Sequence, residues 1–396
     1  MDFAKLNRRT VITGTLGMFA LASSRAALAA APRTTAAAGL PDPRLLKPLF
    51  LSEAMLARIV ASVRPFRKAG PRLESETIND KKIIHCYGHG GCGWSLSWGY
   101  ADQVARLVLA SPPASVAVVG AGAIGLTTAT ALRRAGIPTT IYARELPLES
   151  RSAGATGTWS ADSRIATVTG STPDLARKIE DIARASYRHH QQYLGLADYP
   201  VEFTPRFFVP SPQDRSHNEA SGDFLSISDR LEGMTPPMAE IPAGAHPFPT
   251  NAPVLGGLSM SFNLSEYAHR IMEDFLLMGG SMRRAEFHSP AEVAALPETV
   301  IVNCTGYGAR DLWKDESLIP VRGQIARLAT QSDRLYGVVH NGVMALSRRD
   351  GLIIQYAGSD ENFGMGIADE SPDREEFLMA LNRIRPMFDW KTQSPA

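Results

Sequence analysis

Two glycine-rich stretches, and the arginines near them, hold the residues best placed to do chemistry. One is GAGAIG: Gly120, Ala121, Gly122, Ala123, Ile124 and Gly125. It follows the short apolar run VAVV (116–119) and opens LTTATALRRAG, a helical stretch ending at Gly136, after which TTIYA (139–143) reads as a strand. Strand, glycine turn, helix and strand within about thirty residues is the setting a dinucleotide site requires. The first glycine makes the tight turn, the second lets a pyrophosphate approach the helix N-terminus, and the third permits close helix–strand packing. Glu145 follows Gly125 at the distance where a carboxylate takes ribose hydroxyls. The motif alone does not choose between NAD and FAD.

The other stretch is IIHCYGHGGCGWSLSWGYA (83–101), which concentrates glycines, two histidines and two tryptophans and carries almost no charge. Glycine is used where the backbone turns at positive φ or comes within contact of something flat. We read a buried strand over Lys82–Tyr87, a glycine turn lying against a ligand, and a helix from about Leu96. Alone, the pattern suits an ordinary turn between core elements equally well; the nearby GAGAIG favours a ligand.

The string HCYGHGGCGWSLSWGYA resembles the signature of the D-amino-acid oxidase family of FAD enzymes. The resemblance implies FAD extended over GAGAIG, with its isoalloxazine between the His89–Gly91 loop and a substrate lobe. It assigns flavin contacts to His89, Gly90, Gly91, Gly93, Trp94 and Ser95, and gives the Gly91 carbonyl to the substrate amino group. LESRSAGATGTW (148–159) is similar to the family segment that wraps the flavin, which nominates Ser150, Ser152, Gly157 and Thr158. TVIVNCTGYGA (299–309) resembles a further signature, a strand ending in Cys304, Thr305 and Gly306, where the dinucleotide passes close to the backbone. PVRGQIARL (320–328) matches the family's Arg-Gly-Gln strand. An Arg-Pro pair upstream of the glycine signature grips the substrate carboxylate in that family, and Arg64 holds that position. A planar guanidinium suits the task because it binds a carboxylate bidentately. Arg67 and Arg72 read as structural. The family's ribose-side acidic position falls on Arg144, beside Glu145, so both are candidates.

The implied reaction is oxidation of a D-amino acid or similar amine by hydride transfer from Cα to FAD, which needs positioning more than a strong general base. Oxygen or another acceptor then takes the electrons. The alternatives are an FAD-dependent dehydrogenase of another amine or hydroxy acid, and an FAD-binding protein without turnover. Where the family's oxidases place tyrosines over the substrate, this chain has Val343 and Met344, with Tyr336 nearby.

The order of segments is unusual. In the family the HxYGHGG signature follows the dinucleotide motif, whereas here it precedes it. The helix and Arg-Pro in PDREEFLMALNRIRPMFDW echo ARIVASVRPFR (57–67), and Arg385 is a second copy of the Arg-Pro arginine. We infer a circular permutation, which predicts that residues near 50 and near 388 lie close together.

The elements that must position these motifs follow from length and pattern. A chain of 396 residues, 44% hydrophobic, suits two lobes around a cleft. Its 41 Lys+Arg against 40 Asp+Glu give no basic field for nucleic acid. Cys86, Cys92 and Cys304 suggest neither a disulfide framework nor a metal site, and Cys304 reads as a packed thiol rather than a nucleophile. Arg8-Arg9, the apolar run TLGMFALASS and Ala27-Leu28-Ala29 resemble a twin-arginine signal, which implies the twin-arginine export machinery as a partner and a periplasmic or extracytoplasmic mature protein.

The expected division is a signal over 1–30, a linker over 31–43 and a permuted FAD-domain segment over 44–112. A Rossmann part over 113–200, a substrate lobe over 201–360 containing the FAD-domain strand 299–308, and a C-terminal helix over 361–396 follow. Leu51–Val63 is expected to be a short helix starting at Ser52-Glu53, and Asp174–Leu194 an amphipathic covering helix with His189 and His190 at the surface. Glu202–Ser261 is expected to form antiparallel sheet, and Glu266–Gly280 a helix. The fold class is α/β: an FAD-binding Rossmann-type domain with a second mixed α+β substrate lobe.

Overall fold

The computed structural model describes residues 39–211, 223–358 and 360–391. The twin-arginine-like segment and most of the linker lie outside the described residues.

Two sheets organise the chain. The six-stranded sheet runs in the order β2-β3-β10-β4-β5-β9. Its strands are β2 (Arg72–Ile78), β3 (Lys81–Tyr87), β4 (Val116–Val119), β5 (Thr139–Ala143), β9 (Ser281–Arg284) and β10 (Val300–Asn303). All neighbours pair in parallel except the β2/β3 hairpin. VAVV and VIVN are fully buried along their length, as expected for parallel strands covered on both faces. On one face pack α1 (Gly93–Leu109), α2 (Ala123–Arg134), α3 (Leu175–Gln191) and α4 (Leu264–Leu277) around a shared apolar core. Short helical segments near Val293 and Leu312 cover the other face.

The eight-stranded sheet has the order β1-β11-β14-β13-β12-β6-β8-β7. It comprises β1 (Leu56–Phe66), β6 (Val201–Phe208), β7 (Ala239–Ile241), β8 (Val254–Phe262), β11 (Ile319–Leu328), β12 (Gly337–His340), β13 (Val343–Arg348) and β14 (Gly351–Tyr356). Against one face lies the helix α5 (Arg374–Ile384), burying Phe377, Leu381 and Ile384. The opposite face looks toward the six-stranded sheet. Residues 202–261 supply β6, β7 and β8 in antiparallel pairs, as the composition suggested.

Two expectations are corrected. Leu51–Val63 is not a helix. Ser52 does cap a turn, accepting from the Ala54 amide at 3.3 Å, but the turn ends at Met55 and β1 begins. Pairing in register with β11 from Arg58 to Phe66 decides the conformation, and the β-branched Ile59, Val60 and Val63 suit it. His190 is not a surface residue, and His189 is only partly exposed. His190 is fully buried, its Nδ1 2.6 Å from the Tyr267 hydroxyl and its Nε2 3.2 Å from the Ser95 carbonyl. The His189 ring stacks on Trp98 with centroids 5.2 Å apart, and its Nε2 lies 3.0 Å from Asp102.

Residues near 50 and 388 do meet. The Trp390 indole donates to the Leu46 carbonyl at 3.3 Å, and Phe388 shares a core with Leu49 and Leu51.

Candidate active site

A cavity of about 1190 Å³ lies between the two sheets, above the ~300–1,000 Å³ of a typical small-molecule pocket. It has room for more than one ligand. At one end is the dinucleotide cradle. Gly120 has φ +107, and a Cβ there would stand 2.5 Å from the Cys304 carbonyl oxygen. A Cβ on Gly122 would stand 2.9 Å from Ser152 Oγ, and one on Gly125 would overlap the Gly120 carbonyl. The three positions therefore need glycine for three different contacts. Gly120, Ala121, Gly122, Ala123 and Ile124 line the cavity, while Gly125 sits behind it at the helix–strand junction, the packing role the motif assigns to it. The N-terminus of α2 faces inward, and its Ala123 amide donates to Ser152 Oγ at 3.0 Å.

The other nominated cofactor positions converge on the same space. Ser150, Ser152, Gly157 and Thr158 line it from the segment after β5, and Thr305 and Gly306 from the end of β10. Arg144 and Glu145 reach it from the end of β5, paired with each other at 2.8 Å, and Arg144 also with Glu286 at 3.3 Å.

His89, Gly90, Gly91, Gly93, Trp94 and Ser95 form the wall made by the β3–α1 turn. The turn is held by backbone bonds from the Gly90 amide to the Pro65 carbonyl and from the Gly91 amide to the Ser163 carbonyl, each 2.9 Å. Trp94 acts as a strut, its indole donating to the Ser152 carbonyl at 2.8 Å. Ser95 Oγ accepts from the Ser160 amide at 2.8 Å. Burial pushes the His89 imidazole down to about 3, so it is neutral at ordinary pH, and its buried Nε2 has no protein partner among the described residues.

These features fit an extended dinucleotide. The glycines admit backbone approach, the helix N-terminus offers amides to phosphates, and the polar segments at 150–158 and 305–306 flank the path. FAD is the group such residues would hold.

The substrate side is built on the eight-stranded sheet. Arg64 lies on β1, half-buried, with its guanidinium flat over Gly323 of β11. Any side chain at Gly323 would displace it. No protein acceptor meets the guanidinium among the described residues. Burial first, and then the facing charge of Arg164, lower its pKa to about 9, with Glu376 opposing. An anion placed there would relieve that cost.

The Arg-Gly-Gln strand divides its labour by face. Gly323 opens the cavity side, while Arg322 pairs with Glu376 at 2.8 Å and Gln324 bonds both ways with the Asp373 backbone at 2.7 Å, fastening the start of α5. Met344 lines the cavity, whereas Val343 and Tyr336 belong to the α5 side, Tyr336 donating to the Lys47 carbonyl at 2.7 Å. Arg385 is exposed and bonds to Asn382, and Arg67 and Arg72 hold Ser317 and Tyr87. None of these three arginines is among the residues lining the cavity.

Sequence reasoning missed Arg164 and Arg206, both buried residues of the cavity wall. Arg164 has φ +51 and donates from Nε to the Glu361 carbonyl at 2.5 Å. For Arg206 the alternation gave no signal: it shares the register of Glu202 and Thr204, opposite the apolar Val201, Phe203 and Phe207.

Comparison with known proteins agrees with this geometry. The family model described as FAD dependent oxidoreductase (DAO) matches residues 115–394, well over half of the chain. A D-amino-acid oxidase of Rubrobacter xylanophilus is 29% identical over 228 residues, covering 54% of this chain and 60% of the relative. One from Streptomyces coelicolor is 27% identical over 239 residues, covering 60% and 64%. A D-aspartate oxidase of Talaromyces thermophilus is 59% identical over 49 residues, 12% of this chain and 13% of the relative. These matches span less than two thirds of each relative's own length. Among solved structures, the glycine oxidase of Geobacillus kaustophilus superposes with a TM-score of 0.50 at 16% identity, covering 69% of this chain and 77% of that one, a likeness of fold. The chain belongs to the DAO family of FAD-dependent oxidoreductases.

Proposed function

We propose that the protein oxidises a D-amino acid, or a closely similar amine carrying a carboxylate, with oxygen as the final acceptor. The observation that carries the reading is Arg64: a guanidinium without a protein partner among the described residues, laid over Gly323, in the cavity that also contains the GAGAIG cradle. Relatives named D-amino-acid oxidase support the substrate class.

Arg64 holds the substrate carboxylate bidentately and so fixes which Cα–H bond faces the cofactor. The Gly91 carbonyl, on the cavity wall, accepts from the amino group. As the Cα–H bond breaks the amine gives up a proton and a C=N bond forms; water later converts the imine to a 2-oxo acid and ammonium. Bound FAD would supply the hydride acceptor and pass two electrons to oxygen, which leaves as hydrogen peroxide. The neutral His89 adds no charge to the wall.

Arg64→Ala tests the reading. Removing one partner of a buried charged contact costs roughly 2–5 kcal/mol. kcat/KM for a carboxylate substrate therefore falls about 30-fold or more, while FAD stays bound. Unchanged kcat/KM in the FAD-loaded variant contradicts it.

We also propose the circular permutation and twin-arginine export. The contact of residues 46–51 with 388–390 and the placement of β3 directly beside β10 support the first. A variant with residues 44–112 moved behind residue 391 is expected to fold and bind FAD; an insoluble product speaks against it. For export, an N-terminus mapped on the secreted protein shortly after Ala29 is expected, and retention of Met1 argues against it.

A further inference from the structure

β1 is an edge strand of the eight-stranded sheet, paired with β11 on one side only. Its outward amides have no further strand to bond and need another acceptor. At Val63, the residue before Arg64, that acceptor is a side chain: the amide donates to Glu370 Oε1 at 2.9 Å. The same carboxylate receives Arg151, with Nε 2.6 Å from Oε1 and Nη2 2.7 Å from Oε2. In this forked geometry a guanidinium and a carboxylate fix each other's orientation. Burial raises the Glu370 carboxyl, but the bonds from Arg151 and Val63 outweigh it and hold the group below its usual range.

The two partners belong to different halves of the cavity. Arg151 stands between Ser150 and Ser152 in the segment nominated to wrap the cofactor. Its guanidinium carbon lies 5.9 Å from the centre of the Tyr307 ring, next to Thr305 and Gly306 on the cavity wall. Val63 supplies no chemistry, but its backbone sets where the Arg64 side chain starts. Beside Glu370 the two elements abut. A Cβ on Gly154 would stand 3.0 Å from Val60 Cγ1 and 3.1 Å from Ser62 Oγ, and the Ala153 carbonyl accepts from Arg327 of β11 at 2.9 Å. Glu370 comes from the stretch before α5, where the Ser371 carbonyl accepts from Arg322 at 3.1 Å. A partly exposed ion pair is worth little by itself. This one differs because a single oxygen serves both the substrate strand and the cofactor segment.

We infer that Glu370 is a positioning residue for both halves of the site: through the Val63 amide it fixes the strand carrying Arg64, and through Arg151 the segment that flanks the FAD path. The inference rests on FAD lying over the GAGAIG cradle and on Arg64 taking the substrate carboxylate.

Three variants separate the two arms, read by binding rather than turnover. FAD affinity is measured by titrating the apoprotein. Carboxylate affinity is the concentration at which propionate, an amino-acid skeleton without the amine, shifts the flavin absorption spectrum. Glu370→Gln keeps an oxygen for the Val63 amide but loses the charge facing Arg151. Its FAD affinity is expected to fall roughly tenfold, the size of one hydrogen bond to a charged group, with propionate affinity close to native. Arg151→Gln is expected to show the same split. Glu370→Ala removes both bonds, so propionate affinity falls as well, by roughly tenfold or more as Arg64 loses its placement. A residue that only held the fold together would lower both affinities in all three variants, in step with the melting temperature. That result overturns the inference, as does native affinity for both ligands in Glu370→Ala. Where Glu370→Ala does not fold, the split in the other two variants decides alone. If the native protein binds FAD but responds to no carboxylate, the proposed role of Arg64 falls; loss of FAD affinity in Glu370→Gln then still supports the Arg151 arm, and native FAD affinity there overturns it.

Discussion

Gly125→Ala probes how the dinucleotide turn works, because Gly125 does not touch the cavity. A Cβ there would overlap the Gly120 carbonyl oxygen and come within 2.9 Å of the Gly120 carbonyl carbon and 3.3 Å of Cys304 Cβ. Carbon atoms in contact prefer about 3.5–4.0 Å, and the overlap with the oxygen is deeper still, so α2 must retreat by about an ångström. The other side cannot yield, since the Gly120 amide is bonded to the Tyr142 carbonyl and the Cys304 amide to the Val119 carbonyl, both at 2.8 Å. Overpacking of this kind costs about 1–3 kcal/mol. At about 2–4 °C per kcal/mol, the apoprotein melts some degrees lower, on the order of 2–10 °C. The retreat also moves the N-terminal amides of α2 away from the phosphates, and FAD affinity falls about tenfold or more. Thermal melts of the apoprotein and titration with FAD by flavin fluorescence measure both. Wild-type melting together with wild-type FAD affinity would refute the argument.

Gly93→Ala should behave in the opposite way: no protein atom lies within 4 Å of the added Cβ, so apoprotein stability is kept, but the methyl enters the cavity and weakens FAD binding; equal FAD affinity would place the flavin elsewhere. Glu376→Gln leaves Arg322 charged and buried against neutral acceptors, which costs about 3 kcal/mol and loosens α5, visible as lower melting and faster proteolysis near 374; wild-type melting argues against it. His190 carries a pH dependence. Burial lowers its pKa to about 3 against an ordinary 6.5, the Ser95 carbonyl opposing. Between those values the unfolded chain binds the proton and the folded chain does not, so stability falls on acidification from about pH 6.5 toward 3, by up to ~1.4 kcal/mol per pH unit. His190→Gln is expected to flatten the melting-temperature profile between pH 7 and 5, and an unchanged slope would contradict the assignment.

The cofactor side of this protein was legible in its sequence because glycine positions there answer to backbone contacts within a few dozen residues. GAGAIG can be read locally: each glycine serves the turn, the phosphate approach or the helix–strand junction. β1 could not be read that way. Ser52 starts a helical turn, and Ile59, Val60 and Val63 fit a helix period as well as a strand; what decides is β11, which lies far along the chain. His190 was misplaced for a different reason. It lies on the stripe of Ile179, Ile182, Ala183, Ser186 and Tyr187, so the helical period did place it inward, against the expectation from its polarity. Arg206 lay in a run read only for its apolar alternation, on the register of Glu202 and Thr204. Tyr336 illustrates the limit of resemblance: proximity in sequence to the substrate sheet does not tell which face a side chain takes.

The most direct measurement is anaerobic. The purified protein is examined for a flavin absorption spectrum and then given D-amino acids one at a time. The account predicts a bound flavin whose visible band bleaches with at least one of them and returns when oxygen is admitted. A flavin that no amino acid or carboxylate-bearing amine bleaches contradicts the proposed reaction, and a protein that takes up no FAD contradicts the reading of the cradle itself.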